Sequence, residues 1–150
     1  MKLGPRGTLL IKSFEDIRLK AYKPTPKDVW TIGWGHTAGV HEGDTCTREQ
    51  ADSWFLQDVA VYEGPVNALP VPLTQSMFDA LVSLTYNVGS GAIKPFSTIG
   101  DALRARDYTK AQKGFTLWVR QAGKRLAGLV RRREAEAALF LEDGLPEGIE

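Results

Sequence analysis

Two prolines, set two residues apart and followed by a β-branched, aromatic and glycine-rich run, break an otherwise helical pattern and constrain this chain more than any other feature. Lys23-Pro24-Thr25-Pro26-Lys27-Asp28 cannot form a helix, because each proline lacks an N–H and its ring clashes with the preceding turn. Val29-Trp30-Thr31-Ile32-Gly33-Trp34-Gly35 suits a short strand instead. Residues 22–37 are therefore expected to form a loop or hairpin followed by a strand. A pure helical bundle is excluded, and helical periodicity on both sides predicts an α+β fold that is mostly helical.

On the N-terminal side Leu9, Leu10, Phe14, Ile17 and Leu19 fall near helical spacing and Pro5 suits a first turn, which predicts a helix from about residue 4 to residue 14 or slightly beyond. After turns at Gly39, Gly43 and Asp44, Thr47 can cap a helix that Gln50 joins by returning the bond. Trp54, Phe55, Val59, Tyr62 and Val66 then repeat at intervals of three and four as far as Leu69-Pro70. That helix, about 47–69, is expected to connect a small β-containing lobe, about 15–46, to a helical lobe, about 70–141, within one domain. Thr74 opens a stretch over 77–86 that is apolar nearly all round and belongs in a core. Shorter helices are expected at about 97–105, 109–118 and 126–141, with turns around Asp107 and Gly123-Lys124, and the acidic tail 142–150 is expected to fray. A groove between lobes is the usual place for a polymeric or small ligand.

The composition fits one globular domain: 150 residues, 43% apolar and 25% charged. A formal charge of +1 lacks the cationic excess of a general nucleic-acid binder. The charge is uneven, however. Residues 101–133 carry ten basic side chains, including Arg120, Lys124, Arg125 and Arg131-Arg132-Arg133, against Asp101 and Asp107. They form either a solvated face, partly neutralised by Glu134 and Glu136, or a surface that attracts a polyanion. The single Cys46 excludes an internal disulfide and a cysteine-based zinc site, and is expected to act as a small buried hydrophobe. The longest uncharged apolar run near the start, Thr8-Leu9-Leu10-Ile11, is far shorter than a signal-peptide core or the roughly 20 residues that span a bilayer. Work beyond a membrane would then need a separate route or an upstream segment.

Phe14-Glu15-Asp16-Ile17-Arg18-Leu19-Lys20-Ala21-Tyr22 followed by Thr31-Ile32-Gly33-Trp34-Gly35-His36-Thr37 resembles the active-site signature of the phage-type lysozymes, in spacing as well as identity. Downstream, Tyr86-Asn87-Val88-Gly89, Pro95-Phe96-Ser97-Thr98, Trp118 and Gly128-Leu129-Val130-Arg131-Arg132-Arg133-Glu134 look like the remainder of that family, so the resemblance covers residues 9–141. It implies a lysozyme-like fold of two lobes and a peptidoglycan-cleaving endolysin, a muramidase acting on the β-1,4 bond between N-acetylmuramic acid and N-acetylglucosamine. It implies no cofactor and no metal, a monomer that binds peptidoglycan glycan strands rather than nucleic acid, and no stable membrane insertion. Such an enzyme waits in the host cytoplasm and reaches periplasmic peptidoglycan through a holin or another membrane breach.

Glycosidic cleavage needs a proton delivered to the leaving oxygen, and a protonated carboxyl in a partly desolvated site supplies it. Glu15, where the first helix should give way to the hairpin, is the candidate acid. A water on the opposite face needs a second acceptor, placed roughly 6.5 to 9.5 Å from the acid in inverting enzymes. The family usually has an Asp, sometimes a Cys, two residues beyond the tyrosine and a Thr six residues later. Here Pro24 stands at the first place and the segment to Thr31 is one residue longer. Either Asp28, the only acid in that segment, supplies the second carboxylate through a reshaped hairpin, or Asp28 shapes a turn and the reaction runs on Glu15, Thr31 and water.

Neither His36 nor His41 has a second ligand at metal-like spacing. The resemblance pairs His36 with Asp58 as a structural ion pair and places Thr37, Tyr86, Asn87 and Ser97 along the glycan. Trp34 and Tyr86 offer aromatic faces that suit either a sugar or packing, and Trp118 suits a core. The missing acid keeps open a lytic transglycosylase, in which the sugar's own hydroxyl replaces water, and a peptidoglycan-binding module with weakened catalysis.

Overall fold

The computed structural model describes residues 1–149. Helix α1 (Pro5–Glu15) is followed by strands β1 (Arg18–Tyr22) and β2 (Thr31–Gly33), then by helices α2 (Arg48–Asn67), α3 (Gln75–Val88), α4 (Thr98–Arg104) and α5 (Tyr108–Gly114). A hairpin of β3 (Arg120–Gln121) and β4 (Lys124–Arg125) precedes α6 (Ala127–Phe140). Short 3-10 turns occupy Ser90–Ile93 and Phe115–Leu117. The fold is α+β and mostly helical. Three local expectations change. The first helix ends at Glu15, as expected, but the residues after it form β1, which the helical spacing of Ile17 and Leu19 hides. Residues 120–125 pair as strands instead of forming a plain turn, and the helix expected over 109–118 tightens to 3-10 geometry after Gly114.

The chain divides into two compact units, one of Ile11–Val61 and one of Met1–Leu10 with the residues from Tyr62 onward. The divisions fall inside α1 and α2. The first residues join the helical unit for a physical reason. The Leu3 N–H donates to Glu63 Oε2 (2.6 Å), and the N–H groups of Gly4 and Gly7 donate to the Asp79 carboxylate (2.9 and 3.2 Å). First-turn N–H groups have no partner within their own helix, so Asp79, fully buried on α3, caps α1 from a distant point in the sequence. Its negative charge also complements the positive end of the α1 dipole.

In the Ile11–Val61 unit, β1 and β2 run antiparallel with Arg18 opposite Gly33 and Tyr22 opposite Thr31, and the register shifts between those pairs. On the other side of β1 the Ala21 N–H donates to Asp44 O (2.8 Å) and the Cys46 N–H to Leu19 O (2.9 Å). Ile11, Ile32, Ala51, Phe55 and Val59 are buried. Thr47 caps α2 by accepting the Gln50 N–H (3.1 Å), as its position suggested.

In the helical unit α3 is buried from Ser76 through Thr85, which fits its apolar circumference. Thr74 caps it by accepting the Met77 N–H (3.2 Å), and the Gly89 N–H closes its end on Thr85 O (2.7 Å). Ile99, Leu103, Ala111, Phe115 and Phe140 are buried in the same unit. Arg132, Arg133 and Glu136 are buried too, which removes two cations from the surface inferred over 101–133. Arg133 Nε lies 2.9 Å from Glu136 Oε1 and Arg132 Nε 3.3 Å from Oε2. Burial pushes the Glu136 carboxyl up, opposed first by Arg133 and then by Arg132. The tail expected to fray from Glu142 is tethered at its start. Arg6 pairs with Glu142 (3.3 Å) and Asp143 (2.7 Å), and the Asp143 N–H donates to Ser76 Oγ (3.0 Å).

Candidate active site

Glu15 is the last residue of α1 and is half-buried. The helix stops there because Asp16 adopts a left-handed backbone (φ 53°), a conformation Asp tolerates better than most residues, and this turns the chain into β1. At the far end of β1, Tyr22 faces Thr31 across the ladder. Burial pushes the Tyr22 phenol up and Arg18 opposes this, while the charges of Glu15, Asp16 and Asp28 add to the upward push in that order. The Arg18 guanidinium lies 4.7 Å over the Tyr22 ring. Tyr22 thus lies within electrostatic reach of Glu15 and pairs with Thr31. The sequence reading did not single out Tyr22 or Arg18; their signal was the four-residue interval that puts both on one side of a strand.

Thr31 is buried, and its Oγ1 donates to Val29 O (3.1 Å). That bond uses the hydroxyl proton and leaves the oxygen able to accept from a water. Asp28 is engaged differently. Its Oδ2 accepts from both the N–H and the hydroxyl of Thr25 (3.0 Å each), and its own N–H donates to Thr25 O (3.0 Å). This is the bonding of a turn-forming Asp.

The strand leaves β2 through a tight reversal in which Ile32 and His36 exchange backbone bonds (2.9 and 2.8 Å). Gly33 (φ 65°) makes this possible, and a Cβ there would also sit 3.2 Å from the Cβ of Ala51. The reversal brings His36 Nδ1 within 2.8 Å of Asp58 Oδ2 and stacks its ring on Trp54, with centroids 4.6 Å apart and planes 7° apart. Trp34 is buried, and its Nε1 donates to Asp52 Oδ1 (2.8 Å). Lys12 donates to the same oxygen (3.1 Å) and lies 4.9 Å over the Trp34 ring. Trp34 is therefore a packing residue, one of the two roles its sequence allowed. The Trp34 bond first, and then Lys12, holds the Asp52 carboxyl below its ordinary value.

Thr37 is exposed in the Ile11–Val61 unit. In the helical unit Tyr86 is half-buried and meets Tyr62 edge-on at 5.5 Å. Asn87 is exposed, and its Oδ1 accepts from Arg133 Nη2. Ser97 caps α4 by accepting the Gly100 N–H (3.0 Å), while its hydroxyl lies within bonding distance of Lys94 O and Ala92 O (2.6 and 3.0 Å). Trp118 is half-buried and Cys46 partly exposed, so neither sits in the deep core. His41 lies in an exposed turn with Nδ1 3.8 Å from Asp44.

The family model described as phage lysozyme matches residues 12–136. The chain is 44% identical over 144 residues to an endolysin of Bacillus phage B103, covering 94% of this chain and 54% of that protein. It thus spans about half the length of that relative. It is 41% identical over 145 residues to an endolysin of Acyrthosiphon pisum secondary endosymbiont phage 1, covering 93% of this chain and 98% of that one. Among solved structures, the muramidase domain of SpmX from Asticaccaulis excentricus superposes with a TM-score of 0.85 at 38% identity, covering 93% of this chain and 97% of that chain. With the match running from the end of α1 into α6, this chain belongs to the phage lysozyme family.

Proposed function

We propose that this chain is an endolysin of the muramidase type, which hydrolyses the β-1,4 bond between N-acetylmuramic acid and N-acetylglucosamine in peptidoglycan and so lyses bacteria. The observation that carries this reading is half-buried Glu15 at the end of α1, whose charge reaches Tyr22, the residue that pairs with Thr31 at the far end of β1. Family membership and the muramidase name of a solved relative support it.

In the reaction Glu15, in its protonated form, gives its proton to the glycosidic oxygen as the C1–O bond breaks and positive charge develops on the sugar. A water that donates a hydrogen bond to Thr31 Oγ1 attacks C1 from the opposite face. It forms the C1–OH bond and loses a proton to solvent, from which Glu15 is reprotonated. Asp28 keeps the 25–28 turn closed through its bonds to Thr25, and so supports Thr31 without receiving that proton. Thr37, Tyr86, Asn87 and Ser97 contact the glycan, and His36 with Asp58 holds the turn after β2. No helix among the described residues is long and apolar enough to cross a membrane. The reading includes a monomer that needs no cofactor and reaches the periplasmic wall from the host cytoplasm through a holin or another membrane breach.

Lytic transglycosylation is the second reading, favoured by the engagement of the Asp28 carboxylate within its own turn. Mass spectrometry of muropeptides released from purified sacculi separates the two. Hydrolysis leaves reducing muramic acid ends, and a predominance of anhydro-muramyl ends would overturn the hydrolase reading.

A further inference from the structure

The β3–β4 hairpin is built against its own stability. Its register sets Arg120 directly opposite Arg125 and Gln121 opposite Lys124, and the Leu126 N–H closes it on Val119 O (2.9 Å). Like charges facing each other across an antiparallel pair destabilise it. The connecting residues Ala122 (φ 50°) and Gly123 (φ 79°) are both left-handed, which is the geometry of a turn that favours Asn or Gly at the first position and disfavours Ala. Residues 120–125 are all exposed, so no burial offsets these two costs. Among the described residues Arg120, Lys124 and Arg125 have no carboxylate partner. This differs from Arg132 and Arg133, whose charge is answered inside the unit by Glu136.

Local choices that contradict a fold, with no compensation inside it, mark functional positions. From this we infer that the 120–125 hairpin is a docking element for carboxylates, namely those on the peptide stems of peptidoglycan. The inference rests on the proposed substrate, whose stems carry carboxylates along the strand. Two guanidinium groups held side by side can each grip a carboxylate through two parallel hydrogen bonds, and an anion between them removes the cross-strand repulsion. The whole-chain charge of +1 makes this a local contact, unlike the extended cationic surface of a nucleic-acid binder.

The test compares retention on insoluble sacculi for the Glu15→Gln protein, used so that the substrate persists, with and without Arg120→Gln and Arg125→Gln. Each is measured on native sacculi and on sacculi whose carboxylates have been amidated. The parent should lose roughly tenfold in binding on amidation, and the loss should shrink as salt rises. The hairpin variant should start near that lower level and change less than about twofold on amidation, with a melting temperature equal to or above the parent's. Equal binding of parent and variant to native sacculi would overturn the inference, as would an equal loss for both on amidation. Digestion of native sacculi by the wild-type chain is read separately. Digestion without hairpin dependence overturns only this inference, and failure to digest overturns only the muramidase reading if binding stays carboxylate-dependent.

Discussion

Nδ1 of His36 lies 2.8 Å from Oδ2 of Asp58, and the imidazole stacks flat on Trp54 in the same unit. His36 thus joins the reversal after β2 to the middle of α2. His36→Asn should keep a donor near Asp58 but lose the ring stack, lowering stability by about 1 to 3 kcal/mol. The lower half of that range applies because the Asp58 side chain remains 28% exposed. Thermal melts alongside specific activity check this. An unchanged melt with activity abolished would make His36 a participant in the chemistry.

The Asp79 cap on α1 predicts a steep response at Gly7. A Cβ at Gly7 would lie 2.7 Å from the Cβ of Asp79 and 2.5 Å from a methyl of Leu3. Leu3 can rotate away, but Asp79 Cβ is fixed on α3. Gly7→Ala should therefore destabilise despite a helix-propensity gain of up to about 1 kcal/mol. Asp79→Ala should cost about 1 to 3 kcal/mol by leaving buried N–H groups unpaired. Urea midpoints measure both, and a stabilised Gly7→Ala protein would contradict the cap.

The Arg6 pair gives a signed pH dependence. The hydrogen bond from Arg6 pulls the Asp143 carboxyl from 3.8 down to about 2. A depressed carboxylate contributes its stability fully above the ordinary value and loses it as pH falls through the folded-state value. The melting-temperature gap between wild type and Arg6→Gln should therefore be present at pH 7, shrink below about pH 4, and vanish near pH 2. Salt should reduce it at neutral pH, since the pair is exposed. A gap that widens on acidification would contradict the assignment.

Much of this architecture was legible because it is local. Thr47 and Thr74 announced their helices, and the apolar circumference of α3 marked the core. What escaped the sequence depends on distant partners or lacks a periodic signal. Asp79 caps a helix some seventy residues earlier, and an acid on an otherwise apolar helix has no local mark of that role. Arg132 and Arg133 stand in a run of basic residues with no local mark of burial, and only the fold buries them beside Glu136, with Arg132 donating to Ser83 O. Strand β1 buries only Ala21, so alternation was invisible and Leu19 fitted a helix equally well. The β3–β4 hairpin is exposed throughout and shows no apolar pattern. At the candidate site Glu15 and Thr31 stand out by their place in the motif, and their proposed roles rest on that resemblance. The employment of Asp28 was not legible, since an acid in a turn can face inward or bond its own loop.

Asp28 and Thr31 should respond oppositely to conservative change. Asn at position 28 can still accept from Thr25, so Asp28→Asn should stay within about twofold of wild-type turnover. Thr31→Ala removes the group that positions water and should lower turnover by at least about tenfold, with little change in KM. Initial rates on sacculi decide the matter, and a sharp loss in Asp28→Asn would assign it the second carboxylate.

The most direct test of the central claim is the rate at which purified sacculi yield new reducing ends with wild-type protein and with Glu15→Gln at equal, folded concentrations. The amide keeps the size of the side chain and loses the transferable proton. The rate should fall by roughly 10² to 10⁴ while the melting temperature and sacculus binding stay close to wild type. A Glu15→Gln protein within about tenfold of wild type would contradict the assignment of Glu15 as the acid.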